Sequence, residues 1–304
     1  MKKQNFTNTL GLYASLWHAG TQLPKKLVIY VHGGPGSHCE DFETALNQIP
    51  EYADTPVAWL TYDQRGCGRS GKAANVTHGQ NRNDLLSMVQ EVQNSKMFDS
   101  VSVFGHSYGA RLAFEVCEQN PELNVSVLLA GRSLHSEDSM NVSTLMDTYL
   151  LRSHYPELAE KAYILLKETQ GIASTVGREI RELFPSDSER QKLRAPFYWG
   201  NLQAMAQFEQ WKSNLTCADS DEVFYSVQKS IRESQDNKKF YNPENIKQQI
   251  HFIVGHFDFM MVGAANLGVD SKFYTRLNGS GHYPHIEQPL EFLKIVSQFE
   301  NGIV

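Results

Sequence analysis

"VSVFGHSYGARLAFEVCEQ", residues 101–119, decides how the rest of the chain is read. An apolar, β-branched run leads up to Gly105. From Tyr108 onward the apolar residues Ala110, Ala113, Val116 and Cys117 fall on one face of a helix. Between strand and helix stands Gly105-His106-Ser107-Tyr108-Gly109, a G-x-S-x-G string in the strand–turn–helix context that a nucleophile elbow requires. The two glycines have a steric reason: the serine sits in a strained turn, and side chains at these positions would collide with the neighbouring backbone. Such a turn lifts the Ser107 hydroxyl above a sheet at a helix N-terminus. A tight turn with a capping serine would read the same way, so the assignment depends on what the rest of the chain supplies.

Working outward, short buried-strand patterns alternate with amphipathic ones. "KLVIYVH" (26–32), "VAWLTYD" (57–63) and "VSVLLAG" (125–131) read as strands beside 101–107, with helices near 40–49, 82–97 and 108–119 between them. Alternation of this kind predicts a mostly parallel sheet with right-handed crossovers. The pattern breaks over 132–243, which is helix-like and richer in Glu, Gln, Lys and Ser. It resumes with "QIHFIVGHFD" (249–258), "KFYTRLNGSGH" (272–282) and an amphipathic segment at 288–300. The expected organisation is an α/β core, residues 1–131 and 244–304, interrupted by an all-helical cap, residues 132–243.

Composition narrows the function. With 304 residues, 41% hydrophobic and 20% charged, the chain can bury a substantial core. A net charge of −6 and the lack of a basic patch argue against nucleic acid or anionic membrane as a partner. No segment approaches the roughly 18 apolar residues of a membrane span, and the first twenty residues do not read as a signal peptide. The four cysteines are scattered without a C-x-x-C pair, as in reduced cytoplasmic proteins. His251, His256 and His285 have no metal-ligand spacing, so neither metal nor cofactor is expected.

A serine hydroxyl is a poor nucleophile without a base, and the base needs an orienting carboxylate. "FIVGHFD" places Asp258 just past one strand, and "GSGHYPHIEQP" places His282 on a glycine-rich loop past another. The order Ser107, Asp258, His282 is that of the α/β-hydrolases, and all three stand at carboxyl ends of strands, where a parallel sheet gathers them at one edge. The fold expected is therefore the α/β-hydrolase fold, a mostly parallel sheet flanked by helices. "IYVHGGPGSH" (29–38) then has a role, because acyl transfer builds negative charge that backbone N–H groups can stabilise. One donor is expected from Tyr108; the other comes from Gly34, with Gly33 as the alternative, where a bare backbone can approach an oxyanion.

"HGGPG" at 32–36, "DQRGCGRS" at 63–70, the elbow, "GHFD" at 255–258 and "GHYPHIEQP" at 281–289 resemble the proline iminopeptidase family of α/β-hydrolases. The resemblance covers the core on both sides of the cap. It implies a cofactor-free Ser-Asp-His hydrolase that releases N-terminal proline or other residues from peptides. There are departures. The family elbow more often reads G-G-S-W-G, whereas G-H-S is common among esterases and lipases. The family also holds the substrate ammonium with cap glutamates, one within W-x-x-W-E; the nearest counterpart here is Glu209 in "QFEQW" (207–211), carried over with Gly33 as a substrate contact.

Asp63 and Arg65 are expected to tie their loop together through charge-assisted hydrogen bonds rather than to react. His32 is expected to orient the oxyanion loop. His285 rivals His282 as base; His282 is preferred because it directly follows Gly281 at the head of the G-H-x-P-x-x-E-x-P string, in which Glu287 is expected to stabilise that loop or the final helix. "ADSDE" at 218–222 is read as the start of a helix near Val223. Two further readings compete with an aminopeptidase: a carboxylesterase, lactonase or C–C-bond hydrolase acting on a small acyl substrate, and a non-catalytic ligand receptor, against which the complete Ser-Asp-His set argues. Dehalogenases and epoxide hydrolases would need Asp at the elbow.

Overall fold

The computed structural model describes residues 1–132, 136–169, 173–234, 241–261 and 270–304. Its centre is an eight-stranded sheet in the order β1-β2-β4-β3-β5-β6-β7-β8. The strands are β1 (Lys2–Asn5), β2 (Ala14–His18), β3 (Lys26–Val31), β4 (Ala58–Tyr62), β5 (Ser100–His106), β6 (Ser126–Ala130), β7 (Ile250–Gly255) and β8 (Tyr274–Leu277). β1 and β2 are antiparallel to their neighbours; every pairing from β4 to β8 is parallel. This is the α/β-hydrolase fold expected above. The difference lies at the amino edge, where the chain adds two strands before the first one read from the sequence. All four β1 residues are exposed, so the strand carries no apolar alternation to read.

The apolar runs become strands because both faces of the sheet are covered. Successive side chains of β3 point to opposite faces. Leu27, Ile29 and Val31 join one core cluster, and Val28 and Tyr30 join the other. α2 (His78–Ser95) and α3 (Tyr108–Gln119) close the first face; α1 (Glu40–Gln48) and α11 (Pro289–Glu300) close the second, with the short α10 (Pro284–Glu287) leading into α11.

Between β6 and β7 lie α4 (Ser136–His154), α5 (Pro156–Lys167), α6 (Gly177–Arg181), α7 (Asp187–Arg194), α8 (Leu202–Lys212) and α9 (Asp221–Glu233). They do not pack as one body. Leu150, Leu151, Ala159, Ala162, Ile180 and Phe184 form a small core of their own. Val223, Val227 and Ile231 of α9 instead join the core over α2 and α3, and Trp199 and Phe208 join the core on the other face. Among the described residues no helix is long and apolar enough to cross a membrane.

Candidate active site

β5 runs into α3 through Ser107, whose φ of 54° and ψ of −114° lie where side chains are rarely tolerated. The turn is held by the Ser107 N–H, which donates to the Ala130 carbonyl at 2.7 Å. The glycines of the motif are required by packing. A β-carbon on Gly109 would run into the Val31 carbonyl, and one on Gly105 would lie 2.6 Å from the Ala110 Cα. Ser107 is partly exposed between buried neighbours, and its hydroxyl has no hydrogen-bond partner among the described residues.

Beyond β7, Asp258 is buried, and its Oδ1 accepts the Met260 N–H at 3.0 Å. The other oxygen, Oδ2, lies 3.0 Å from Nδ1 of buried His282. A carboxylate at Nδ1 fixes the ring so that Nε2 is left to exchange protons. The imidazole rests against Gly131 at the end of β6. That glycine has φ +68°, and a β-carbon there would sit 2.8 Å from His282 Cε1. The backbone on either side of His282 is fixed by three groups, of which only Glu287 was expected to steady this loop. Its N–H donates to the Tyr198 carbonyl at 2.6 Å. His106, next to the elbow serine, donates from Nε2 to the His282 carbonyl at 2.8 Å; burial and the neighbouring histidines push its pKa well below the usual range. Glu287 accepts four backbone N–H bonds, from Gly281 (2.8 Å), Tyr283 (3.2 Å), Gly200 (2.6 Å) and Asn201 (2.9 Å). One carboxylate thus joins the histidine loop to the chain entering α8. Burial raises its pKa despite those four donors.

The HGGPG loop leaves β3 and lies over the elbow. A β-carbon on Gly33 would meet the Ser107 Cβ at 3.1 Å; Gly34 has φ +109°, a conformation suited to glycine. His32 steadies the loop. Its Nε2 accepts the Gln64 N–H at 2.9 Å, which leaves Nδ1 to donate to the Gly33 carbonyl at 2.9 Å. Burial lowers its pKa to about 4, so it is neutral at pH 7. Asp63 accepts the Cys39 N–H and the Arg69 N–H, each at 2.8 Å, and pairs with the Arg69 guanidinium at 2.8 Å. Burial alone would raise its pKa, but Arg69 holds it at about 2. Arg65 pairs with Asp84 at 2.8 Å. Both residues therefore bind loops together, each through a partner other than its neighbour in the sequence.

Tyr108 opens α3 just after Ser107, and its side chain points into the core. The hydroxyl lies 2.9 Å from His78 Nδ1 and accepts the Asn81 amide at 3.2 Å; His78 Nε2 reaches Glu115 at 2.6 Å. Glu209 is exposed on α8, and its carboxylate has no partner among the described residues. Asp221 and Glu222 lie in the first turn of α9 behind the capping Ser220, as a helix start would have them.

A family model described as "Alpha/beta hydrolase family" matches residues 28–295. A proline iminopeptidase of Heyndrickxia coagulans is 24% identical over 285 residues, 91% of each chain. One from Xylella fastidiosa is 32% identical over 106 residues, 35% of this chain but only 32% of that protein. Among solved structures, a proline iminopeptidase-related protein of Thermus thermophilus superposes with a TM-score of 0.69 at 16% identity, over 100% of this chain and 99% of its own. The resemblance carried by the motifs is thus met by relatives bearing that name, and with a family match spanning most of its length on an eight-stranded hydrolase sheet, the chain belongs to the alpha/beta hydrolase family.

Proposed function

We propose that the protein is a serine hydrolase that releases the N-terminal residue, proline or another, from peptides through an acyl-enzyme. The observation that carries this reading is the His282 Nδ1–Asp258 Oδ2 pair at 3.0 Å, set beside a serine held in a strained elbow. Ser107 attacks the scissile carbonyl, and His282 Nε2 takes its proton and passes it to the departing amine. Asp258 holds the ring in the reactive tautomer and stabilises the imidazolium. The N–H groups of Tyr108 and of Gly34, or of Gly33 beside it, bind the developing oxyanion; each such donor is worth about 3–4 kcal/mol of barrier. Water then frees the acid by the same route. Catalytic hydrogen bonds of this kind often close only with substrate in place, consistent with an unpartnered Ser107 hydroxyl. The peptidase half of the reading leans on the motifs and on relatives named as proline iminopeptidases.

A second reading, a carboxylesterase, lactonase or C–C-bond hydrolase, draws support from Glu209. Its carboxylate is exposed, so water would screen and weaken its pairing with a substrate ammonium. A fluorophosphonate probe should label the protein but not Ser107→Ala, with His282→Ala and Asp258→Asn labelled slowly. Equal labelling of Ser107→Ala would overturn the mechanism. A panel of aminoacyl-coumarin amides beside p-nitrophenyl acyl esters separates the two substrate classes. Turnover of no amide, proline included, removes the peptidase.

A further inference from the structure

Where the chain between α8 and α9 meets the start of α1, three metal-binding side-chain types converge from two distant stretches of sequence. His38 and Glu40 flank Cys39 at the entrance to α1. Cys217 arrives from a position 177 residues after Glu40. One imidazole nitrogen, one carboxylate oxygen and the thiol sulfur all lie within 4.8 Å of one another. A point central to a triangle of that size is at most about 2.8 Å from each corner. Zinc bonds run about 2.3 Å to sulfur and about 2.0–2.2 Å to nitrogen and oxygen, so a contraction of at most about 0.5 Å for the thiol and about 0.7 Å for the other two brings all three into the bonding range.

The frame around the three donors is built. Glu40 accepts the Thr216 N–H at 3.0 Å, the Thr216 hydroxyl at 2.7 Å and the Cys217 N–H at 2.9 Å, which orients the carboxylate as outer-shell partners orient a metal ligand. His38 is buried, and its Nδ1 meets only a long 3.3 Å contact from the Glu40 N–H, a weak competitor for a cation. Cys217 is partly exposed, whereas Cys39, Cys67 and Cys117 are buried, so an ion has a way in at the sulfur.

We propose that His38, Glu40 and Cys217 form a binding site for a zinc-class divalent ion, with water as fourth ligand. Imidazole, thiolate and carboxylate together select zinc or cobalt over magnesium or calcium. As the metal–sulfur bond forms, the thiol proton leaves to solvent. The site is separate from the reacting groups but not remote from them. The Ser220 N–H donates to the Gly36 carbonyl at 2.7 Å, so the stretch that carries Cys217 is also fastened to the HGGPG loop. A bound ion strengthens that fastening.

The test uses full-length protein stripped with a chelator and titrated with Co²⁺. Expected are saturation at one ion per chain, a thiolate-to-cobalt charge-transfer band, and displacement by Zn²⁺. Cys217→Ser should lose the band, and His38→Gln should weaken binding at least 10-fold. Excess Zn²⁺ should slow alkylation of Cys217, read by peptide mass spectrometry on unmutated protein, at least 10-fold, a readout that depends neither on the variants folding nor on hydrolytic activity. No saturable band, a band that survives Cys217→Ser, or unchanged alkylation would each overturn the site.

Discussion

Glu287→Gln keeps the shape of a side chain on which both sides of His282 depend, and removes its charge. Oε2 accepts from Gly200 and Asn201, and Oε1 accepts from Gly281 and Tyr283. A glutamine offers one acceptor oxygen, so its NH₂ must face the other pair of N–H groups, donor against donor. Two N–H groups on half-buried or buried residues lose their partners, at up to about 1–3 kcal/mol each. Part of this is offset, because the neutral amide escapes the burial cost that raises the Glu287 pKa. The expected net loss is about 2–4 kcal/mol. Whichever pair is lost, the backbone bearing His282 loosens, either directly or through the Tyr198–Asn201 stretch against which it rests. Urea unfolding followed by tryptophan fluorescence should show the stability loss, and turnover on the best substrate should fall at least 10-fold with a smaller change in KM. Full turnover together with a stability within about 0.5 kcal/mol of the parent, the range of an ordinary surface substitution, would refute the reasoning.

Gly131→Ala should leave the far-UV spectrum intact but lower turnover more than 10-fold, since the new methyl lies 2.8 Å from His282 Cε1 at a positive φ; undiminished turnover would show that the ring can move aside. Asp63→Asn should cost about 1.5–3 kcal/mol by denaturant titration, the range for losing a hydrogen-bonded charged partner, because the partly exposed Arg69 guanidinium keeps Glu43 at 2.8 Å. Because Arg69 holds that carboxyl at about 2, its contribution is full above pH 4 and fades as pH falls from there through 2. Three buried histidines act in the same direction at milder pH. His32 and His285 have pKa values lowered to about 4 and about 3 by burial, and His106 lies well below its usual value for the same reason. The unfolded chain takes up these protons near pH 6.5, so stability should fall as pH drops below that, at up to about 1.4 kcal/mol per unit for each ring. Neither ring nitrogen of His285 has a hydrogen-bond partner among the described residues, and Phe42, Phe104 and Phe292 surround it. His285→Phe should therefore be neutral or stabilising at pH 5, with about one proton fewer taken up on unfolding; an unchanged uptake would contradict this.

What could be read from the sequence was set by how local the cause is. The elbow announces itself because its glycines answer collisions within a few residues of Ser107. Asp258 and His282 are readable because parallel strands present their carboxyl ends at one edge. The contacts that steady the site leave less trace. Glu287 is readable as a stabiliser of its own loop, but not its reach to Gly200 and Asn201, and His106 meets a carbonyl 176 residues away. Bonds from side chain to backbone impose no residue type on the backbone partner, so no pattern marks where they end. β1 escaped notice because an all-exposed strand needs no apolar alternation, and the core membership of α9 escaped because amphipathicity says that a helix has a buried face without saying against what.

The divided packing of the inserted helices sets where this protein can be re-engineered. α4 to α7 share a private core, so a segment exchanged between residues 136 and 194 would leave both faces of the sheet covered. An exchange carried on through residue 233 would strip Trp199, Phe208, Val223, Val227 and Ile231 from those faces. Chimeras cut at the first boundary are the ones to build.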